Sequence, residues 1–230
     1  MDPHLTSIAA LAWCRELGLD DDALATPGLV TRVDDSAPVV QVLHIGESTA
    51  IVGPSRAVAA LTEVEAAHRD EAAVRAATAG HAGRTEVLSL CADWIDASRV
   101  DDPLISHRAA DFAELLRRCP PDDATEVELT ASEQPRAFVL LDDEHRPLSG
   151  AGYGEVHSLL ADLRVLTVPD HRRRGLAATV TTLATHDALD AGLIPMWRAR
   201  RDNLAARGLA AVSGYLEWGT RITVRLPVRM

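Results

Sequence analysis

Behind Asp2-Pro3, a favourable helix start with proline at the first helical position, Leu5, Ile8, Ala9 and Ala12 fall on one face of a 3.6-residue repeat, and Gly18 can end the helix. Over 38–45 the pattern changes to a β-branched run. A Gly46-Glu47 turn then leads into Ala50-Ile51-Val52, which together predict a hairpin. Gly53-Pro54 opens a second helix carrying Val58, Leu61 and Val64, and alanine-rich helical sequence continues to Ala79. Residues 1–87 are expected to form a small N-terminal α/β domain, divided from a second domain at 88–230 by the break in pattern at 80–84.

The second part begins with a strand over 85–92. Ser106 can cap a helix presenting Ala110, Phe112, Leu115 and Leu116, which Pro120-Pro121 terminates. Strands over 137–141, 148–155 and 159–168, the first two joined by a polar turn at 142–146, predict three successive antiparallel strands. The order then changes to a helix over 174–191, a strand over 194–199, a helix over 203–213 and a last strand over 220–226. The expected class is α+β, a mostly antiparallel mixed sheet flanked by helices.

All 23 basic side chains of the 230 residues are arginine, and no lysine occurs. Schiff-base catalysis, covalent pyridoxal phosphate, an ordinary P-loop and a conventional protein kinase are therefore excluded. The 34 acids give a net charge of -11, which argues against nucleic-acid binding through bulk charge. That average hides an asymmetry: residues 158–230 carry 11 arginines against 6 acids, leaving 12 against 28 for residues 1–157. A basic last third on an acidic chain points to a local anionic ligand. Aromatic residues make up only 3%, so aliphatic and alanine packing must supply the core. Cys14, Cys91 and Cys119 are odd in number and widely spaced, without the pairing of a disulfide framework or zinc site, and read as buried thiols. No membrane span or signal segment is evident, so a cytoplasmic protein without a membrane partner is expected.

The informative stretch runs Leu166-Thr167-Val168-Pro169-Asp170-His171-Arg172-Arg173-Arg174-Gly175-Leu176-Ala177-Ala178. A β-branched strand enters a cationic turn, and glycine and alanine then open an amphipathic helix. Unpaired amides and the helix dipole face the turn, the small residues admit a ligand's oxygens, and the arginines add permanent charge. A pyrophosphate meets these requirements; a solvated arginine cluster capping a surface helix is the plain alternative.

With Asn203, Leu209, Gly214 and Tyr215 following a strand that carries Trp197, the sequence resembles the GNAT superfamily of acyl-CoA-dependent N-acyltransferases. Arg172, Gly175 and Ala177 match that family's [QR]-x-x-G-x-[GA] motif, and the later four residues match its second motif in register. The resemblance covers 88–230. The form Trp-Arg-Ala-Arg-x-Asp-Asn at 197–203 is most similar to a branch with an extra N-terminal domain, which includes zwittermicin-type self-resistance acetyltransferases.

The resemblance implies acetyl-CoA as cosubstrate, no metal, and a small-molecule amine as acceptor, attacked directly in a ternary complex. Val165, Leu166 and Thr167 would pair with the pantetheine arm, and Val165 N–H would stabilise the oxyanion. Pyrophosphate oxygens would sit on amides among Arg173, Arg174, Gly175, Leu176, Ala177 and Ala178, beside Arg172. Asn203 would touch the cofactor arm or cap its helix. The amine must lose a proton before attack, and Asp162 and Glu155 are the candidate bases. Period-2 alternation also sets Asp162 beside Arg164, so a structural or substrate-anchoring pair competes with the base role.

Where many relatives carry a tyrosine acid this chain has Ala210. Water or Ser213 would have to serve, and Tyr215 is expected in the core. That departure keeps a non-catalytic acyl-CoA-binding regulatory module as the alternative. The glycines at 150, 152 and 154 lack the spacing of a dinucleotide loop and suggest a bulged strand beside a ligand. His171 and the His186-Asp187 pair are expected in surface or capping roles. The N-terminal domain would supply one wall of the acceptor pocket or an oligomer contact, such as that of a homodimer.

Overall fold

In chain order the elements are α1 (Pro3–Glu16), β1 (Gly28–Val33), β2 (Val39–Ile45), β3 (Ser48–Gly53), α2 (Ser55–Thr62), α3 (Glu71–Thr78), β4 (Ala82–Leu90), β5 (Ile105–Ser106), α4 (Ala109–Arg118), α5 (Pro121–Glu126), β6 (Ala137–Leu141), β7 (Pro147–Val156), β8 (Leu160–Thr167), α6 (Leu176–Asp190), β9 (Ile194–Arg200), α7 (Leu204–Val212) and β10 (Leu216–Arg225). This computed structural model describes residues 1–126 and 136–227. The class is the expected one, helices flanking a mostly antiparallel sheet, with parallel pairing only at β1–β3 and β8–β9 among the registered ladders.

Two compact units divide the chain. The first comprises Met1–Ser89, Arg198–Leu204 and the chain from Glu217 onward; the second comprises Leu90–Trp197 and Ala205–Leu216. In the first, the strand order is β1-β3-β2-β10-β4, with the last residues of β9 beside β4. Val40, Val42, Ile51, Ile222 and Val224 meet Ala57, Val58 and Leu61 of α2 and Val74 of α3 in a buried cluster. Alternation turns Arg221 to the other face, where its guanidinium lies over the Trp13 ring of α1 at 5.5 Å. There Arg221 donates two hydrogen bonds, at 2.8 and 2.5 Å, to Oε2 of buried Glu86, and Arg84 lies 3.4 Å from the other carboxylate oxygen.

Two expectations for this unit are corrected. The single helix over 53–79 is two helices, because Asp70 accepts from Ala73 N–H at 2.8 Å and so starts α3 afresh after a short 3₁₀ turn. An additional strand, β1, pairs in parallel with β3. It is an edge strand with an exposed, partly polar sequence, which leaves little periodicity to detect.

In the second unit the order is β9-β8-β7-β6-β5, with β6, β7 and β8 successively antiparallel as expected. α4 covers one face: Phe112, Leu115 and Cys119 pack with Val139 of β6 and Leu166 of β8. α6 covers the other, where the Tyr153 hydroxyl of β7 donates to Asp187 of α6 at 2.5 Å. Arg108, not Ser106, occupies the N-cap position of α4; Ser106 lies in β5, accepts from Arg108 N–H at 3.2 Å and donates to the Asp111 carboxylate. The Pro120-Pro121 pair ends α4 and also opens α5, since proline is tolerated in a first turn. The glycines at 150, 152 and 154 sit in an unbroken β7–β8 ladder without a bulge. Gly150 is required by packing instead: a Cβ there would lie 2.6 Å from the Leu115 side chain.

Candidate functional site

The ladder between β8 and β9 runs from Leu160↔Ile194 to Leu163↔Trp197 and ends there, whereas β8 stays paired with β7 as far as Thr167↔Ser149. Val168 N–H donates to Leu148 O at 2.9 Å, which fixes the alternation: even residues of β8 direct their backbone groups to β7, odd ones away from it. Leu159 O, accepting from Ile194 N–H at 2.9 Å, agrees with that phase. Val165 and Thr167 therefore turn N–H and C=O to the side where the β9 ladder has stopped. Leu166 does not; its C=O accepts from Ser149 Oγ at 3.1 Å, and its side chain is in the α4 core.

Past Val168 the chain makes a 3₁₀ turn over Pro169–His171 and enters the arginine-glycine segment. Arg173 has φ +64° and Gly175 φ +81°, two left-handed residues that bend the chain into α6. No side chain caps α6 at Gly175, and no acidic residue occupies its first turn. Arg172 is committed. Its Nε donates to Thr167 O at 3.1 Å, and a terminal nitrogen donates to Asp123 of α5 at 2.5 Å. Arg173 and Arg174 are exposed and make no ion pair among the described residues. Leu176 and Ala177 are half-buried, and Ala178 is buried.

Sequence reasoning missed one further arginine of this turn. The segment after β4 docks along α6: Ala97 N–H donates to Thr182 Oγ1 at 3.1 Å, and Arg99 N–H donates to Thr179 Oγ1 at 3.1 Å. Arg99 crosses Gly175 so closely that a Cβ on the glycine would lie 2.5 Å from the arginine's own Cβ. Gly175 is thus fixed twice, by its backbone conformation and by this crossing. Nothing local in the sequence marks Arg99; only the two threonine hydroxyls bring it there.

The candidate bases part company. On the α4 face, Asp162 and Arg164 stand opposite Gly154 and Gly152, and they form an ion pair at 2.5 Å with side chains 8% and 12% exposed. Glu155 is exposed and pairs in register with Ala161, which puts its side chain on the opposite face of the sheet from Asp162. One acceptor nitrogen cannot face both. Asn203 lies in the first unit at the head of α7, its N–H donating to Arg200 O at 3.0 Å.

Tyr215 is core, 3% exposed, with its hydroxyl 2.7 Å from Thr185 Oγ1 and its ring edge-on to Trp197; burial raises its pKa well above the ordinary tyrosine range. Ala210 and Ser213 are both buried, and Ser213 Oγ has no hydrogen-bond partner among the described residues. Asp187 is more than a surface group. It accepts from Tyr153 and pairs with Arg136 at 3.1 Å, while burial, then Asp187, pushes the Tyr153 hydroxyl up to about 12. His186 of the same helix stacks against Trp94, ring centroids 4.5 Å apart. All three cysteines are buried free thiols whose pKa values burial raises. Among the described residues no three His, Cys, Asp or Glu side chains gather as metal ligands would, and no helix is long and apolar enough to cross a membrane.

Residues 103–215, which include the segment from β8 through the arginine-glycine turn to α7, match the model of the acetyltransferase (GNAT) family. No curated protein sequence matches the chain. Among solved structures, a conserved protein of unknown function from Staphylococcus epidermidis is similar with a TM-score of 0.52 at 14% identity, over 69% of this chain and 68% of that one. A GNAT-family acetyltransferase from Colwellia psychrerythraea gives 0.49 at 15% identity, over 71% of this chain and 64% of its own. A putative GNAT acetyltransferase from Novosphingobium aromaticivorans gives 0.49 at 18% identity, over 65% and 67%.

Proposed function

We propose that the protein is an N-acetyltransferase that moves an acetyl group from acetyl-CoA to the amine of a small molecule, by direct attack in a ternary complex. The observation that carries this is the junction of two features in a GNAT-family segment. A strand is released from its neighbour after Leu163, and it leads directly into an arginine-glycine turn at an uncapped helix start. Backbone groups of Val165 and Thr167 suit an amide-bearing arm, and the amides from Arg173 to Ala178 with Arg173 and Arg174 suit a pyrophosphate. Arg172, bonded to Thr167 O and Asp123, shapes the turn rather than presenting free charge. Asn203 would contact the arm or its helix.

In the reaction a neutral amine attacks the thioester carbonyl carbon, the carbonyl oxygen takes negative charge, the nitrogen gives up a proton to water, and the C–S bond breaks to give amide and thiolate. Val165 N–H is the candidate oxyanion donor. Asp162, tied to Arg164, is better placed to anchor a cationic acceptor or hold a water than to give up its partner for a proton. Glu155 is solvent-facing and would serve only through water. The thiolate takes its proton from solvent, since Ala210 offers none.

Thermal stability with acetyl-CoA tests the cofactor: a ligand at about 100 times its dissociation constant stabilises by about 2.7 kcal/mol, and no shift at millimolar acetyl-CoA would remove it. Asp162→Asn should move the pH dependence of turnover if that carboxylate is the base; an unchanged profile clears it. The non-catalytic module is favoured by Ala210 and by the Asp162–Arg164 lock. Acetyl-CoA binding without thiol release on any of a broad panel of amines would establish it.

A further inference from the structure

Four arginines stand at the start of α6, and one of them is already paired. Asp123 neutralises Arg172. Arg99, Arg173 and Arg174 are exposed and have no ion pair or hydrogen bond to their guanidinium groups among the described residues. Three unneutralised guanidinium groups and the positive end of a 15-residue helix exceed what a pyrophosphate diester, with about two negative charges, requires. A phosphate monoester adds nearly two more near neutral pH. Arg173 and Arg174 belong to the turn whose amides suit the diester. Arg99 arrives from a different segment, its backbone tied to Thr179 and its stem laid across Gly175, so it adds a guanidinium group that the turn itself does not supply.

We propose that Arg99 is a specificity-determining residue that binds the ribose 3′-phosphate of the cofactor and so distinguishes CoA from 3′-dephospho-CoA. This rests on the cofactor assignment above. The planar fork of arginine can meet two oxygens of a terminal phosphate at once, and the second negative charge of the monoester strengthens that pair. Thr179 is the residue that positions it.

Titration calorimetry of the full chain with CoA and with 3′-dephospho-CoA at one fixed salt concentration tests the assignment. The wild type should bind CoA about tenfold or more tighter than the dephospho form. Arg99→Gln should bring the two within about twofold, through loss of CoA affinity alone. Because the Arg99 head group holds no partner among the described residues, the variant should melt unchanged without ligand, which guards against a folding artefact. Equal weakening of both ligands, or a wild-type ratio retained by the variant, overturns the assignment while leaving the cofactor in place. Failure of the wild type to bind CoA at millimolar concentration removes the cofactor assignment and this one together.

Discussion

Tyr153 joins sheet and helix through one hydroxyl, 2.5 Å from the Asp187 carboxylate, with Arg136 completing the set. Tyr153→Phe leaves the half-buried carboxylate one donor short and should cost about 1–3 kcal/mol in urea unfolding. Its pH signature has a definite sign. The folded hydroxyl titrates at about 12 against an ordinary 10.0, so between these values the unfolded chain loses the proton first and stability falls as pH rises. The variant lacks that group, and its stability should decline less steeply across the same interval; equal slopes would show that the Tyr153 hydroxyl is not held as the structure indicates. The cationic turn, its glycine and the three candidate carboxyl and amide residues could all be picked out from the chain. Which face each carboxylate takes, and that Arg172 is engaged by Asp123, could not: these depend on the register of β7 against β8 and on where α5 docks.

The helix α6 is held at its start by a segment with no secondary structure of its own. Thr179 Oγ1 accepts from Arg99 N–H, and Thr182 Oγ1 from Ala97 N–H. Thr179→Val keeps the shape and removes one acceptor, so about 1 kcal/mol of stability should be lost and the Arg99 amide should exchange its hydrogen faster than in the wild type. Gly175→Ala attacks the same junction from the other side. At φ +81°, with Arg99 2.5 Å from the new Cβ, it should destabilise by more than about 1 kcal/mol and weaken CoA binding. A variant of unaltered stability and affinity would mean the crossing is looser than described. At this scale the pattern of apolar and β-branched positions located α1, α6 and β6 to β8. It failed at β1, an exposed edge, and at the α2–α3 break, where alanine-rich sequence satisfies the helical pattern continuously and only the Asp70 cap decides the interruption.

Across the molecule, chain-distant segments meet where buried charge must be compensated. Glu86 and Arg221, 135 residues apart, share two hydrogen bonds with both side chains at most 10% exposed, and Arg198 and Arg84 lie within 4.0 Å of the same carboxylate. Glu86→Gln would leave arginines buried without their counter-charge and should cost about 3–5 kcal/mol, read as a lower urea midpoint at constant slope. A loss below about 1 kcal/mol would show that water reaches the cluster. By itself the sequence determined what local sterics and spacing can encode: most element types, the arginine-glycine turn of Arg172 to Ala178, and the exclusion of lysine chemistry. Only the tertiary structure decided that β4 enters between β10 and β9, that Arg99 crosses Gly175, and that Asp162 and Glu155 face opposite ways. The reason is physical. A turn or a cap is fixed by a few neighbouring dihedrals and hydrogen bonds, whereas partners far apart in the chain are selected by the packing of whole faces, for which no short stretch carries a signature.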